Sequence, residues 1–273
     1  MGEFNSNNNS ILVCYLITKF DNQQTLENFV NHYTKFNSGL KHDLLVCFKL
    51  LNKKEIQQYQ LILKNINYIN FEDNFDLNDF DFGSYKRVAE NFSTKNIFFL
   101  NSHSYPICDL WLKKVAHHFH DNSIVGTSAS YESLLSSIKY KKFYKIISYF
   151  FKKFKLKKRF ISFPNPHVRT TGLLIKAKDY LSFMKDKDVS SKEDAWELES
   201  GKVSLTNYFK LLGYKIYIIN SDGTKYEENK WKFSETYNYL EQQKSIISDK
   251  HTRKYLSLND KEKNYFQDKT WGV

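Results

Sequence analysis

The N-terminal part of the chain, up to Leu100, alternates short apolar runs with segments of helical periodicity, and this alternation restricts the possible folds. The pattern predicts strands at Ile11 to Ile17, Leu44 to Leu51, Tyr68 to Phe71 and Ile97 to Leu100, and helices at Gln23 to Phe36, Glu55 to Leu63 and Ser84 to Phe92. Repeated βα units form a mainly parallel sheet with helices on both faces. The chain is therefore predicted to be an α/β protein.

The second part of the chain continues this pattern less regularly. Asp109 is predicted to cap a helix that carries Trp111 on its apolar face, and Leu205 to Leu212 is predicted to be a helix that stops at Gly213. Strands are predicted at Ser123 to Ser128, His167 to Ala177 and Tyr214 to Ile219. A length of 273 residues suits a single core.

These elements suggest a division of the chain by composition. Residues 1–10 are expected to be a disordered or vector-derived tail, and residues 11–221 the α/β domain. Residues 131–160 are expected to form a basic amphipathic helical insertion in that domain, and residues 222–273 an irregular C-terminal extension packed on the core.

The charge balance favours polyanionic neighbours. Lys and Arg total 41 against 30 Asp and Glu, which gives a net charge of +11. Within residues 139–159, basic residues alternate with an aromatic stripe and no acidic residue occurs. A helix of this kind suits an anionic membrane surface, although a core-facing helix with a solvated lysine face would show the same pattern.

The expected location is the cytoplasm, with peripheral membrane association. The three cysteines are scattered, and Cys14 and Cys47 lie inside apolar runs, which argues against a disulfide framework or a zinc site. No apolar stretch approaches the length of roughly 20 residues that spans a bilayer.

Familiar nucleotide and hydrolase motifs do not occur: the sequence has no GxGxxG after the first strand and no GxxxxGK[ST], HExxH or GxSxG. Three other features occur in order. These are the polar tetrad Asn101 to Ser104 at a strand end, the segment Thr170 to Lys176, and an acidic cluster containing Glu193, Asp194 and Glu199. Ligands of open α/β sheets bind at carboxyl strand ends, so Asn101, Ser102 and His103 are candidate binding residues.

This order resembles the A-type glycosyltransferases (GT-A), and most closely their inverting family 2. In that family a nucleotide-binding βα half precedes a strand ending in Asp-x-Asp, an acceptor-side strand and a Glu-Asp pair before a helix. Here the tetrad lies at the Asp-x-Asp position, Thr170 to Lys176 at the acceptor-side strand and Glu193-Asp194 at the acidic pair. The resemblance implies a GT-A-like, Rossmann-like fold and an inverting transfer from a nucleotide-sugar donor to a cell-surface glycan or lipid-linked saccharide.

The resemblance also implies residue roles. Asp194 or Glu199 is the expected general base, with the choice left open. Asp81 lies where such enzymes hold the nucleotide base and ribose, although an ordinary helix-capping role is equally consistent with its position. The tetrad lacks carboxylates, so a divalent Mn or Mg ion is doubtful, and compensating charge is expected from the residues His103, Arg169, Lys192, Lys202 and Arg253.

Two alternatives remain open. A catalytically inactive GT-A-like scaffold would explain the missing carboxylates, and a basic nucleic-acid-binding protein would explain the charge. The βα organisation and the acidic cluster do not fit nucleic-acid binding, so no nucleic acid is expected as a partner.

Overall fold

The structure is a computed structural model that describes residues 10–136 and 153–273. Its strands are β1 Ile11–Thr18, β2 His42–Lys49, β3 Ile69–Asp73, β4 Asn96–Leu100, β5 Tyr105–Pro106, β6 Ser123–Gly126, β7 Ala129–Ser130, β8 His167–Val168, β9 Leu173–Lys176, β10 Lys215–Ile219, β11 Lys225–Tyr226 and β12 Ile247–Ser248. Its helices are α1 Gln23–Lys35, α2 Lys53–Ile62, α3 Phe80–Asn91, α4 Trp111–His117, α5 Ala177–Met184, α6 Lys192–Ser200, α7 Leu205–Leu211, α8 Lys250–Leu256 and α9 Asp260–Trp271, with a 3₁₀ helix at Glu228–Ser234.

One mainly parallel sheet organises the described part of the chain, in the order β11-β10-β6-β9-β4-β1-β2-β3. The pairs β1–β2, β1–β4, β2–β3 and β6–β10 are parallel. Strand β9 lies antiparallel between β4 and β6, and β11 is antiparallel to β10 at the edge. The predicted α/β class with a mainly parallel sheet is confirmed.

Helices cover both faces of this sheet, as predicted. Alternate residues of β1 enter two separate core clusters: Leu12 and Cys14 on one face, Val13 and Tyr15 on the other. The first cluster also takes buried residues of α3, α5 and α7, and the second those of α1, α2 and α4. Strands buried on both faces explain the continuous apolar runs in the sequence.

The predicted strand His167 to Ala177 is wrong in its extent. It is divided into β8 and β9, and Ala177 begins α5. Gly172 causes the break, because its φ of +70° lies in the left-handed region, and a Cβ there would come within 2.0 Å of Thr127 Oγ1.

One helix start differs from the prediction, and helix α6 was not predicted. Asp109 does not cap α4; its Oδ1 accepts from the backbone N–H of Asn37 at 2.9 Å, and Leu110 precedes the helix in a left-handed conformation. Glu193 and Asp194 precede α7, the helix predicted at Leu205 to Leu212, but they also lie in the first turn of α6, a helix that the sequence did not predict.

The predicted basic insertion lies partly outside the described residues, since residues 137–152 are not among them. Residues 153–159 are helical. Toward the C-terminus, Trp231, Tyr237 and Trp271 enter the core cluster on the α3 face. No helix among the described residues is long and apolar enough to cross a membrane.

Candidate functional site

A cavity of about 320 Å³ opens at the carboxyl edge of the sheet. Strands β4 and β6 end at this edge, and the antiparallel β9 begins there. The cavity wall is built from the start of α3, the loop after β4, the segments around β7 and β8, helix α6 and the C-terminal segment. The lining residues include Asp81, Asn101, Glu132, His167, Arg169, Thr171, Trp196, Glu199, Tyr237 and His251.

A buried charge cluster fixes the start of α3 and thereby Asp81. Arg87 donates to both oxygens of Asp73, from Nε at 2.6 Å and Nη2 at 2.7 Å, and from Nη1 to Asp79 Oδ2 at 2.6 Å. Lys49, only 1% exposed, pairs with Asp79. The cations and carboxylates compensate one another, as buried charges require. Gly83 leaves room for Asp79, because a Cβ would overlap its carboxylate.

Asp81 itself faces the cavity and accepts no hydrogen bond from any described residue. Burial raises its pKa to about 6, and the negative charge of Glu199 acts in the same direction. Near neutral pH this carboxylate is available to accept hydrogen bonds from a ligand.

The polar tetrad is held by its own hydrogen bonds. Ser104 Oγ donates to Asn101 Oδ1 at 2.5 Å and lies 2.6 Å from Thr171 Oγ1. Of the tetrad, Asn101 lines the cavity, whereas Ser102 and His103 face Asp21. The predicted binding residues of the tetrad therefore lie in two places: Asn101 in the cavity wall, and Ser102 and His103 beside Asp21.

The tetrad does not offer a metal site. Asp21 is the carboxylate beside it, and its oxygens already accept from Thr18 Oγ1 at 2.7 Å and Ser102 Oγ at 2.8 Å, with His103 Nε2 at 3.4 Å. Across residues 10–136 and 153–273, no three His, Cys, Asp or Glu side chains form a metal-binding group. Carboxylate oxygens are the ligands that Mg²⁺ and Mn²⁺ prefer, so the residues present do not fit such an ion here.

The two candidate bases on α6 differ in their surroundings. Asp194 Oδ2 accepts from the backbone and hydroxyl of Ser191 at 2.8 and 2.7 Å, and Oδ1 accepts from Arg159 Nη2 at 2.6 Å. The Ser191 hydroxyl, together with Arg159, holds the pKa of Asp194 well below its usual range. Asp194 is the third residue of α6, completes the capping box with the N-cap residue Ser191, and does not line the cavity.

Glu199 lies on the last turn of the same helix, is half-buried and lines the cavity. It makes no hydrogen bond or ion pair with any described residue. Its charge acts on Asp81, His167 and Arg169, whose pKa values it shifts. A carboxylate without a partner in such a cavity is chemically available as a proton acceptor.

Arg169 forms the cationic part of the cavity wall. Its guanidinium donates to Asp249 Oδ2 at 2.5 Å and lies over the ring of Tyr237, 4.1 Å from the centroid. Burial opposes its charge, but Asp249 and then Tyr237 raise the pKa of Arg169 overall. Burial lowers the pKa of His167 and of His251, so both imidazoles favour the neutral form.

The other predicted cations lie outside the cavity. Arg253 Nη2 donates to the carbonyl of His103 at 3.0 Å, which brings these two residues together beside the tetrad. Lys202 Nζ donates to the carbonyl of Lys157 at 2.7 Å, and Lys192 lies 5.2 Å from the ring centroid of Trp196. Neither lysine lines the cavity.

Several cavity residues were missed from the sequence: Glu132, His167, Trp196, Tyr237 and His251. Trp196 had a usable signal, because it precedes Glu199 by three positions and so shares its helix face. Asp21 also had one, since it follows the first strand at the carboxyl edge. Tyr237 and His251 had none, because they come from a weakly periodic segment.

Comparisons with known proteins give distant similarities only. No protein-family model matches the sequence, and no curated protein is significantly similar to it. Among solved structures, the chain is similar to GalNAc-T7 with UDP, GalNAc and Mn²⁺, at 12% identity and a TM-score of 0.35 over 44% of this chain and 23% of that one. It is also similar to the WbbM bifunctional glycosyltransferase, at 11% identity and a TM-score of 0.41 over 73% and 38% of the two chains.

A further similarity is to 4-diphosphocytidyl-2C-methyl-D-erythritol synthase from Anaerococcus prevotii, at 9% identity and a TM-score of 0.46 over 83% of this chain and 96% of that one. The chain spans less than two thirds of the length of GalNAc-T7 and of WbbM.

Proposed function

We propose that this protein is a glycosyltransferase that moves a sugar from a nucleotide-sugar donor to an acceptor hydroxyl, with inversion at the transferred carbon. One observation carries the proposal: Glu199, a carboxylate without a partner among the described residues, faces a cavity at the carboxyl edge of an α/β sheet. Ligands of such sheets bind at this edge, and inverting transfer requires a carboxylate to take the acceptor's proton.

In this proposal Glu199 is the general base. Asp194 is poorly suited to that role, because a carboxylate saturated by Ser191 and Arg159 has low basicity and no access to the cavity. The catalytic role that the sequence left open between the two acids is therefore assigned to Glu199.

The donor sugar and ribose are proposed to lie against Asp81 and Asn101, whose oxygens accept hydrogen bonds from hydroxyl groups. The departing diphosphate is proposed to lie beside the tetrad, against Arg253 and Lys250. Neither cation has an ion-pair partner among the described residues, and both act on the pKa of His103. Fixed positive charges there would stabilise the leaving group without a divalent ion.

The acceptor is proposed to be a glycan or lipid-linked saccharide at an anionic membrane, reached through the basic residues 139–159. Part of this segment supports the idea directly. Within the helical residues 153–159, Phe154 is 79% exposed, and Arg159 joins the segment to α6 through Asp194 and Glu197. A membrane surface bound there would lie beside the helix that carries Glu199.

Isothermal titration calorimetry with UDP, GDP, dTDP, CDP and CMP-sugars, in EDTA and then in Mn²⁺, tests the donor site. We expect one nucleotide class to bind in EDTA and Arg253→Ala to weaken it. Binding of none would favour the scaffold or nucleic-acid alternatives. Binding that requires Mn²⁺ would contradict the metal-free leaving-group site.

A further inference from the structure

Trp196 differs from the other tryptophans in its exposure. All four tryptophans lie within the described residues; Trp111 and Trp231 are 0% exposed and Trp271 is 5% exposed, whereas Trp196 is 37% exposed. Its indole lines the cavity, and no described aromatic ring stacks against it. A large aromatic side chain left open at a cavity wall is a candidate ligand contact.

Helix α6 fixes the backbone of Trp196 beside the proposed base. The capping box of Ser191 and Asp194 fixes the start of the helix, and Arg159 pairs with both Asp194 and Glu197 at 2.6 Å. Trp196 and Glu199 are three positions apart and therefore lie on one helix face. A backbone fixed before binding loses little conformational entropy when a ligand stacks on the side chain that it carries.

The charges of the cavity limit what can stack there. Arg169 is paired with Asp249, and Glu132 is paired with Lys269 at 2.6 Å. The two lining charges without an ion-pair partner among the described residues are both carboxylates, Asp81 and Glu199. This balance of lining charges disfavours phosphates, uronates and other anions inside the cavity and favours a neutral ligand rich in hydroxyl donors. The cation Lys192, 5.2 Å from the ring centroid of Trp196, does not line the cavity.

We infer that Trp196 forms the acceptor subsite of this cavity and binds a neutral pyranose. The apolar C–H face of the sugar stacks on the indole, and its hydroxyls donate to Glu199 and neighbouring oxygens. A nucleobase would also stack on the ring, but its linked phosphates would meet the carboxylates. The role of this saccharide as the acceptor rests on the proposed function, whereas the binding of a saccharide to Trp196 does not depend on it.

A glycan array combined with tryptophan fluorescence tests the subsite. We expect wild-type protein to bind neutral glycans in preference to sialylated or uronate-containing ones, and the bound glycan to change the emission of Trp196. Trp196→Ala should lose about tenfold or more in affinity, and Trp196→Tyr should recover most of it, because stacking survives. Circular dichroism and nucleotide calorimetry should be the same for all three proteins.

Three results would overturn the inference: no glycan retained, equal retention by Trp196→Ala, or a preference for acidic glycans. In turnover assays, Trp196→Ala should raise the acceptor KM and leave the donor KM unchanged. If nucleotide binding fails while Trp196-dependent glycan binding holds, the proposed transferase function fails and the saccharide subsite stands. If nucleotide binding holds and no glycan binds, the saccharide subsite fails and the donor site stands.

Discussion

The two acids of α6 show how local hydrogen bonding separates chemically identical groups. Asp194 accepts hydrogen bonds from the helix start and from Arg159, whereas Glu199, on the last turn, faces the cavity without a described partner. The basicity of a carboxylate depends on which donors already stabilise its anion. Spacing along the sequence does not contain this information, because both acids precede the same final strand.

We expect Glu199→Gln to reduce kcat about 10²- to 10⁴-fold, the usual contribution of general-base catalysis. The amide keeps the shape of the side chain, so donor binding should persist. Asp194→Asn is the matched control: it should lower the melting temperature by weakening the Arg159 pair and the cap but reduce kcat far less. Steady-state kinetics with calorimetric donor binding measure both, and a larger kcat loss in Asp194→Asn would contradict the assignment.

Asp81 should leave a mark on the pH dependence of stability. Its pKa is raised to about 6, so between about pH 4 and pH 6 the folded state holds more protons than the unfolded state. The contribution of Asp81 to the free energy of unfolding is therefore fully present below about pH 4 and is lost as the pH rises through about 6. In Asp81→Asn the free energy of unfolding should not fall for this reason.

The melting temperature of Asp81→Asn minus that of wild type should therefore increase by a few degrees between pH 4 and pH 7. Thermal denaturation in matched ionic strength at several pH values measures it. Titratable groups that do not interact with Asp81 behave alike in both proteins and cancel in the difference. A difference that stays constant with pH would show that Asp81 titrates normally.

At the level of elements, the strands were predictable because burial on both faces leaves a continuous apolar signal. The predicted strands Ile11 to Ile17 and Ile97 to Leu100 match β1 and β4 within one residue at each end. The segment after Val168 was not predictable, since its break depends on the distance between Gly172 and Thr127, which are remote in sequence. For the same reason Tyr237 and His251 could not be assigned to the cavity: tertiary packing alone brings them there.

Gly172 should be costly to replace, and Gly213 provides the control. Both have positive φ, +70° and +79°, but a Cβ at Gly213 meets nothing within 4 Å. Gly213→Ala should therefore cost only the left-handed strain, about 1–2 kcal/mol. Gly172→Ala should cost about 1–3 kcal/mol more, the usual cost of overpacking, because its Cβ overlaps Thr127.

Chemical denaturation of both variants, and of Gly172→Ala combined with Thr127→Ala, measures these terms separately. The double variant should recover much of the overlap term. Equal losses at Gly172 and Gly213 would mean that the turn before β9 relaxes without cost.

For the whole molecule, the distribution of charge is more informative than its sum. The net charge is +11, yet the lining charges without an ion-pair partner in the part of the chain that the structure describes are the carboxylates of Asp81 and Glu199. The excess of positive charge therefore lies elsewhere on the surface. Residues 139–159 hold a dense share of it in the sequence, and in the described residues 153–159 Arg159 ties that segment to α6. An acidic pocket beside a basic surface suits a neutral saccharide presented by an anionic membrane.

The protein is expected to bind phosphatidylglycerol vesicles and not phosphatidylcholine vesicles, with binding that weakens as salt rises. Basic residues near an anionic surface contribute about 1 kcal/mol each, so Lys155→Gln, Lys157→Gln and Lys158→Gln together should reduce partitioning by roughly two orders of magnitude. Lys53→Gln, Lys54→Gln and Lys64→Gln remove the same charge from the region of α2 and are the matched control. Co-sedimentation measures both triple variants.

Equal losses in the two would mean that net charge alone drives binding, whereas pelleting with neither vesicle would leave residues 153–159 as an ordinary packing helix with a solvated lysine face. Because neither triple changes a residue of the cavity, transfer to a soluble acceptor should stay at the wild-type rate in both, which separates membrane docking from catalysis.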